Sequence, residues 1–286
     1  MIDKAVSSTE ELIDRVERDL RKWRTTTFPW FRGEPAKTEK PLVPKLFRAR
    51  HNENSLLQHF RMKAPALGVK VPPRGGHTDQ WLFLARHVGV PTRLLDWTEG
   101  LLVALYFATE KRETGGVVWM LDPVQLNRES GETFRDNEFP LTWFSPDTTG
   151  LQRRETATWL GDLTRPGGGH RLRRIAEGIK SNIGGINIRL AWEGGEAQTK
   201  IGTQKPIAVH PTSIHPRITA QKGCFTIHGR NHDSLSKQVG PRILRRYAVN
   251  TRKFGDIRKQ LRMLGITHST IYPDLDGLAK DLESAF

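Results

Sequence analysis

Between His87 and Thr98 (HVGVPTRLLDWT) the chain gathers an imidazole, a guanidinium, a carboxylate, an indole and a hydroxyl: His87, Arg93, Asp96, Trp97 and Thr98. Several chemistries fit that mixture. Asp96 and Thr98 stand just ahead of an apolar run and can cap a helix, with Arg93 paired to Asp96. Polar groups delivered to a helix N-terminus can also form an anion or ribose site, because the free first-turn amides carry partial positive charge. His87 with Asp96 offers a third option, a metal-free nuclease or other hydrolase.

The elements that must position these groups follow from local chemistry. Gly89 can take positive φ, and Pro91 pushes Val90 out of the α region, so a helix predicted over 78–88 ends here. Leu101, Leu102, Leu105 and Ala108 recur at helical spacing and predict a second helix over 99–109. Ser8 and Glu11 suit a capping box before a helix lined by Leu12, Val16, Leu20 and Trp23. Further helices are predicted over 53–63 and 251–264, the latter capped by Gly265, and from Leu275 onward. Strands are predicted at Trp30 to Arg32, 117–121, 206–210, 224–228 and 243–249, with a short one leading to Tyr272. From about 127 to 202 the pattern loosens around Pro166-Gly167-Gly168-Gly169, which reads as a mobile basic insertion. Helices gather early and strands late, so the expected class is α+β: mixed, mainly antiparallel sheets with flanking helices. The expected organisation is an N-terminal helix at 1–27 and a single domain at 28–286.

Charge narrows the partners. Forty-five Lys and Arg against 31 Asp and Glu give +14, with a pI near 10.2, which favours a polyanion such as RNA or DNA. Arg153, Arg154, Arg171, Arg173 and Arg174 cluster within the insertion and are the candidate nucleic-acid contacts. A second stretch runs through Arg242, Arg245, Arg246, Arg252, Lys253, Arg258, Lys259 and Arg262. It reads either as a solvated helix face or as another phosphate-binding surface. The single Cys224 excludes an internal disulfide and reads as a small core residue. No apolar run approaches eighteen residues, and the first twenty residues are charged and amphipathic, so a cytoplasmic location without membrane contact is expected. His210, His215, His228 and His232 lack metal-ligand spacing, and no metal is expected. The Asp274 to Gly277 run resembles part of a calcium loop, yet its twelfth position is Ala285, so it reads as a turn and cap.

Three blocks resemble the FRG domain proteins of bacteria and their mobile elements. They are Trp30-Phe31-Arg32-Gly33-Glu34 with Leu42 to Arg48, the segment from His87 to Ala108, and Gln221-Lys222-Gly223-Cys224-Phe225-Thr226. A fourth, from Ile271 to Leu278, looks like the family's last strand and helix. Their order is also similar to the ADP-ribosyltransferase superfamily, in which a first-strand Arg or His, a central Ser, Thr or Tyr and a late acidic residue surround NAD. That resemblance implies an ADP-ribosyltransferase-like core with NAD as substrate. It places Arg32 on the diphosphate with Gly33 allowing close approach, Asp96 and Thr98 beside the ribose, and Phe31 or Trp97 stacked on the ring. His87 and Arg93 complete the expected cofactor shell, and Gln221 stands where the superfamily carries its acid. An amide is no base at neutral pH, so either the acceptor needs none, or Asp96 or Glu34 substitutes, or the fold has become a binder. The implied activity is ADP-ribosyl transfer onto nucleic acid by a toxin or phage-defence effector, with an antitoxin or regulatory protein as a further partner. A non-catalytic nucleic-acid-binding module is the alternative, and a nuclease the second.

Overall fold

The computed structural model describes residues 4–23, 29–49, 51–68, 78–111, 115–131, 205–209, 216–229 and 231–284. Arg153, Arg154, Arg171, Arg173 and Arg174, with most of the expected insertion, lie outside them.

Helix α1 (Thr9–Trp23) leads into β1 (Trp30–Pro35), then the short α2 (Lys45–Arg48), α3 (Glu53–Lys63) and α4 (Thr78–His87). Next come β2 (Leu94–Thr98), α5 (Leu101–Ala108), β3 (Gly116–Leu121) and α6 (Pro123–Gly131). After the gap follow β4 (Ile207–Val209), α7 (Pro216–Ala220), β5 (Gly223–Ile227), α8 (Leu235–Gln238) and β6 (Leu244–Val249). The chain closes with α9 (Phe254–Met263), α10 (His268–Ile271) and α11 (Leu275–Glu283). The described strands form one six-stranded sheet in the order β4-β5-β2-β1-β3-β6, with every named pairing antiparallel. Helices flank it, so the class is α+β, with a single open sheet.

Alternation along the strands divides the core. One face, carrying Trp30, Leu95, Trp97, Trp119 and Cys224, is buried in a continuous cluster. The other is covered twice. At the β3–β6 end, Phe31, Val118, Met120 and Val249 pack under α1, α5 and α9. At the β4–β5 end, Leu94, Phe225, Ile227 and Val209 pack under α3 and α4. The gap between these groups lies over β1, β2 and β5.

Gly33 explains how tightly α5 sits on the sheet: a Cβ there would fall 1.8 Å from the Ala104 carbonyl oxygen. Its missing side chain therefore lets α5 pack closely on the sheet. At the other helix group, Gly89 takes φ of +88° and Val90 N–H bonds Ala85 O at 2.9 Å, which stops α4 as its sequence requires.

Several expectations change. Leu94–Thr98 is an interior strand rather than a capping loop, because its alternating Leu95 and Trp97 bury against the continuous core while Leu94 faces the opposite side. The segment before Tyr272 is the helix His268–Ile271, held by a Thr267 and Thr270 capping box. Helix α6 runs past the expected start of the insertion at about 127 and continues to Gly131. Asn127 exchanges hydrogen bonds with Ala208, and Ser130 donates to Pro206 O. Asp274 caps α11 by accepting from Gly277 N at 2.8 Å, as a turn and cap should.

Candidate functional site

A cavity of about 390 Å³ fills the gap between the two helix groups. Its floor is Phe31, Gly33, Asp96, Thr98, Gly223 and Phe225; α4 adds Arg86 and His87, α5 adds Phe107, and Arg217, Gln221 and Tyr272 close the remaining side. Arg32 and Trp97 also reach it. Thus Phe31, Arg32, Gly33, His87, Asp96, Trp97, Thr98 and Gln221, drawn from separate segments, share one cavity. Arg93 does not line it.

Sheet geometry accounts for the position of Arg32. Strands β1 and β2 share one register pair, Phe31 with Thr98, and then part. In the opening, Arg32 Nη1 donates to the Asp96 carbonyl oxygen at 2.6 Å and lies 3.7 Å from its carboxylate, while Arg32 Nε donates to Glu34 at 3.2 Å. Glu34 is 5% exposed and also accepts from Trp119 Nε1 at 2.9 Å. Arg32 is therefore a strand-joining residue, with Nε and Nη1 directed into the protein.

Asp96 is held from the other side. Arg86 Nε bonds both carboxylate oxygens, at 3.0 and 3.1 Å, and Arg86 Nη2 adds a contact to Oδ2. Burial alone would raise the Asp96 pKa, but the Arg86 charge and hydrogen bonds, with Arg32 behind them, hold it below the ordinary carboxylate value. Its side chain stays 41% exposed. It is an ionised carboxylate at the cavity wall, suited to stabilising positive charge and a poor proton acceptor. Among the described lining residues it is the only acid, against Arg32, Arg86 and Arg217.

Thr98 Oγ1 donates to the Gln221 carbonyl at 2.6 Å and accepts from Gly100 N at 2.9 Å. The helix N-cap is Gly100, so the hydroxyl ties β2 to the turn ahead of β5 instead of capping α5. That turn is tied again through Glu99 N to Lys222 O at 3.1 Å, and Lys222 adopts φ of +47° to make it. Gln221 Nε2 donates to Ile271 O at 3.2 Å. This fixes the amide and brings the C-terminal segment against the cavity.

Arg93 lies elsewhere for a clear reason. Its Nε donates to Glu53 at 2.6 Å and its backbone N–H to the same carboxylate at 3.0 Å, with both side chains under 10% exposed. The expected Arg93–Asp96 pair is replaced by two others, the buried Arg93–Glu53 pair and the Arg86–Asp96 pair at the cavity wall. Phe31 and Trp97, 5% and 3% exposed, show little ring face to a ligand, and the Trp97 indole N–H is bound to Thr226 Oγ1. Phe107 and Tyr272, only partly buried, reach the cavity packed edge to face, with the Tyr272 ring also against His268.

Sequence reasoning missed Arg86, Phe107, Arg217 and Tyr272. Arg86 adjoins His87 in the last turn of α4, but nothing local distinguishes it from a dipole-complementing helix residue. The second basic stretch is partly internal. Arg258 lies 4.2 Å over the Tyr106 ring and donates to Tyr106 O and Thr109 O, closing the last turn of α5, and Arg246 lies over Trp119.

No group of three or more His, Cys, Asp or Glu among the described residues is arranged to hold a metal, and no described helix is long and apolar enough to cross a membrane. No curated protein and no solved structure matches the chain. The FRG domain family model matches residues 28–116, which span β1 to α5 and the first residue of β3. The segment that matches the FRG domain model supplies Arg32, Arg86, Asp96 and Thr98 to the cavity.

Proposed function

We propose that the cavity binds an NAD-type dinucleotide and transfers its ADP-ribose to an acceptor, with nucleic acid as the acceptor class. The observation that carries this reading is the convergence of Arg32, Asp96, Thr98 and Gln221 on one cavity of about 390 Å³. Their order along the chain is similar to that of the ADP-ribosyltransferase superfamily, with Gln221 in place of its late acid. The volume falls within the ordinary range of small-molecule sites, where apolar walls hold a ring and a few polar groups orient it.

Cleavage of the glycosidic bond moves its electron pair onto the nicotinamide nitrogen and leaves positive charge on the ribose. Asp96, ionised and open to the cavity, stabilises that charge electrostatically. The acceptor nucleophile then bonds to the ribose carbon, and its proton passes to water, because Asp96 is too weak a base to retain it. Gln221 Oε1 accepts a ribose hydroxyl. The charge of +14 supports a polyanionic acceptor, and a toxin or phage-defence effector is the setting in which such transfer fits.

A second reading, a nucleotide-binding module without turnover, is favoured by the double clamp on Asp96, the sole acid among the described lining residues. Incubation of the pure protein with NAD labelled in its ADP-ribose half, alone and with RNA, DNA or protein, separates the two. Transfer predicts free nicotinamide and labelled acceptor. Saturable NAD binding with no nicotinamide release supports the binder, and cleaved nucleic acid without label transfer supports a nuclease.

A further inference from the structure

The FRG segment leaves the cavity incomplete, since α7 and the α10–α11 connection close it. There, Arg217 lines the wall with its guanidinium over the Tyr272 ring, 5.4 Å from the centroid, and its Nε bonded to Asp274 Oδ2 at 3.0 Å. Arg32 and Arg86 direct donors to Asp96 and Glu34, but the Arg217 side chain is 38% exposed and its counterion Asp274 does not line the cavity. We propose that Arg217 is a ligand-recognition residue, which receives a phosphate of a nucleotide bound in the cavity.

This deepens the dinucleotide reading and rests on it for the identity of the ligand. A guanidinium suits the role, because it offers a fixed fork to phosphate oxygens and stacks on an aromatic face at the same time. Asp274 holds it in place when the cavity is empty and competes with the phosphate when it is filled. Removing each partner therefore has opposite effects on the ligand, although both removals break the same ion pair.

The test is calorimetric binding of ADP-ribose, AMP and adenosine to wild type, Arg217→Gln and Asp274→Asn, with melting curves for all three proteins. Phosphate recognition predicts that Arg217→Gln weakens ADP-ribose and AMP at least tenfold and leaves adenosine within twofold. It also predicts that Asp274→Asn binds the phosphorylated ligands as tightly as wild type or more tightly. A purely structural ion pair predicts parallel losses in both variants and for all ligands, which overturns the proposal, as does failure of the wild type to prefer AMP over adenosine. Nicotinamide release is measured separately. Phosphate-selective binding through Arg217 without release leaves this proposal standing and removes transfer.

Discussion

Arg32→Ala is expected to be costly to the fold, and the structure sets the size of the effect. Substitution removes the 2.6 Å bond to the Asp96 carbonyl and the 3.2 Å ion pair with Glu34. Glu34, 5% exposed, keeps the Trp119 indole N–H, whereas Asp96 keeps Arg86. One buried carboxylate thus loses its hydrogen-bonded cation and keeps Arg48 only as a neighbouring charge, a change worth up to about 3–5 kcal/mol. For a chain of this size each kcal/mol moves Tm by roughly 2–4 °C, so a drop of up to about 6–20 °C is expected. Arg32→Lys retains the charge but satisfies only one of the two acceptors, and about 1.5–3 kcal/mol is expected for the lost charged hydrogen bond. Arg32→Ala combined with Glu34→Gln should recover part of the loss, because the two side chains are coupled. Urea denaturation with thermal melts gives these values. Arg32→Ala melting within about 2 °C of wild type, or a double variant no better than the single, would refute the strand-joining role.

Gly33→Ala should cost about 1–3 kcal/mol or more, since its methyl meets the Ala104 carbonyl at 1.8 Å and α5 must lift; a denaturation midpoint unchanged from wild type contradicts this packing. Glu53→Gln strands buried Arg93 and should lower stability by about 3–5 kcal/mol, while ligand binding by the protein that remains folded stays at wild-type strength. Loss of binding in a fully folded Glu53→Gln protein would return Arg93 to the site. His228, fully buried, has its pKa pushed from 6.5 down to about 3 by burial, with Arg32, Arg93 and His232 adding repulsion. The unfolded chain binds this proton between those values and the native protein does not, so the stability is complete above pH 6.5 and falls as pH drops toward 3. Carboxylates such as Asp96 add slope in the same direction, so the comparison is with His228→Gln, whose pH dependence between 6.5 and 4.5 should be shallower. Identical slopes would show that the imidazole is not held neutral.

Local chemistry was enough for the elements whose signals are local. The helix predicted over 53–63 is α3, the Gly89 and Pro91 pair marks the end of α4, and Leu101 to Ala108 mark α5. Strand β2 was harder to read because Leu94-Leu95 is a doublet: one leucine serves each face of an interior strand, so alternation vanishes just where burial is two-sided. The residues of the cavity floor could be nominated from the FRG blocks, but their partners could not. Arg86 reaches Asp96 because α4 packs beside β2, and Arg93 turns to Glu53 because α3 lies behind it. Both pairings are set by the tertiary arrangement. Arg217 and Tyr272 likewise reach the cavity through the fold of the last third of the chain, where a short helix replaced the expected strand.

The central claim is that Asp96, held ionised by Arg86 and Arg32, faces the bond that breaks in NAD. Its most direct test is the rate of nicotinamide release by wild type and Asp96→Asn, each shown by its melting curve to be folded at the assay temperature. The account predicts release by wild type and at least a tenfold slower rate for Asp96→Asn, equivalent to about 1.4 kcal/mol or more of lost transition-state stabilisation. Folded Asp96→Asn releasing nicotinamide at the wild-type rate, or wild type releasing none in the presence of RNA, DNA and protein acceptors, would contradict it.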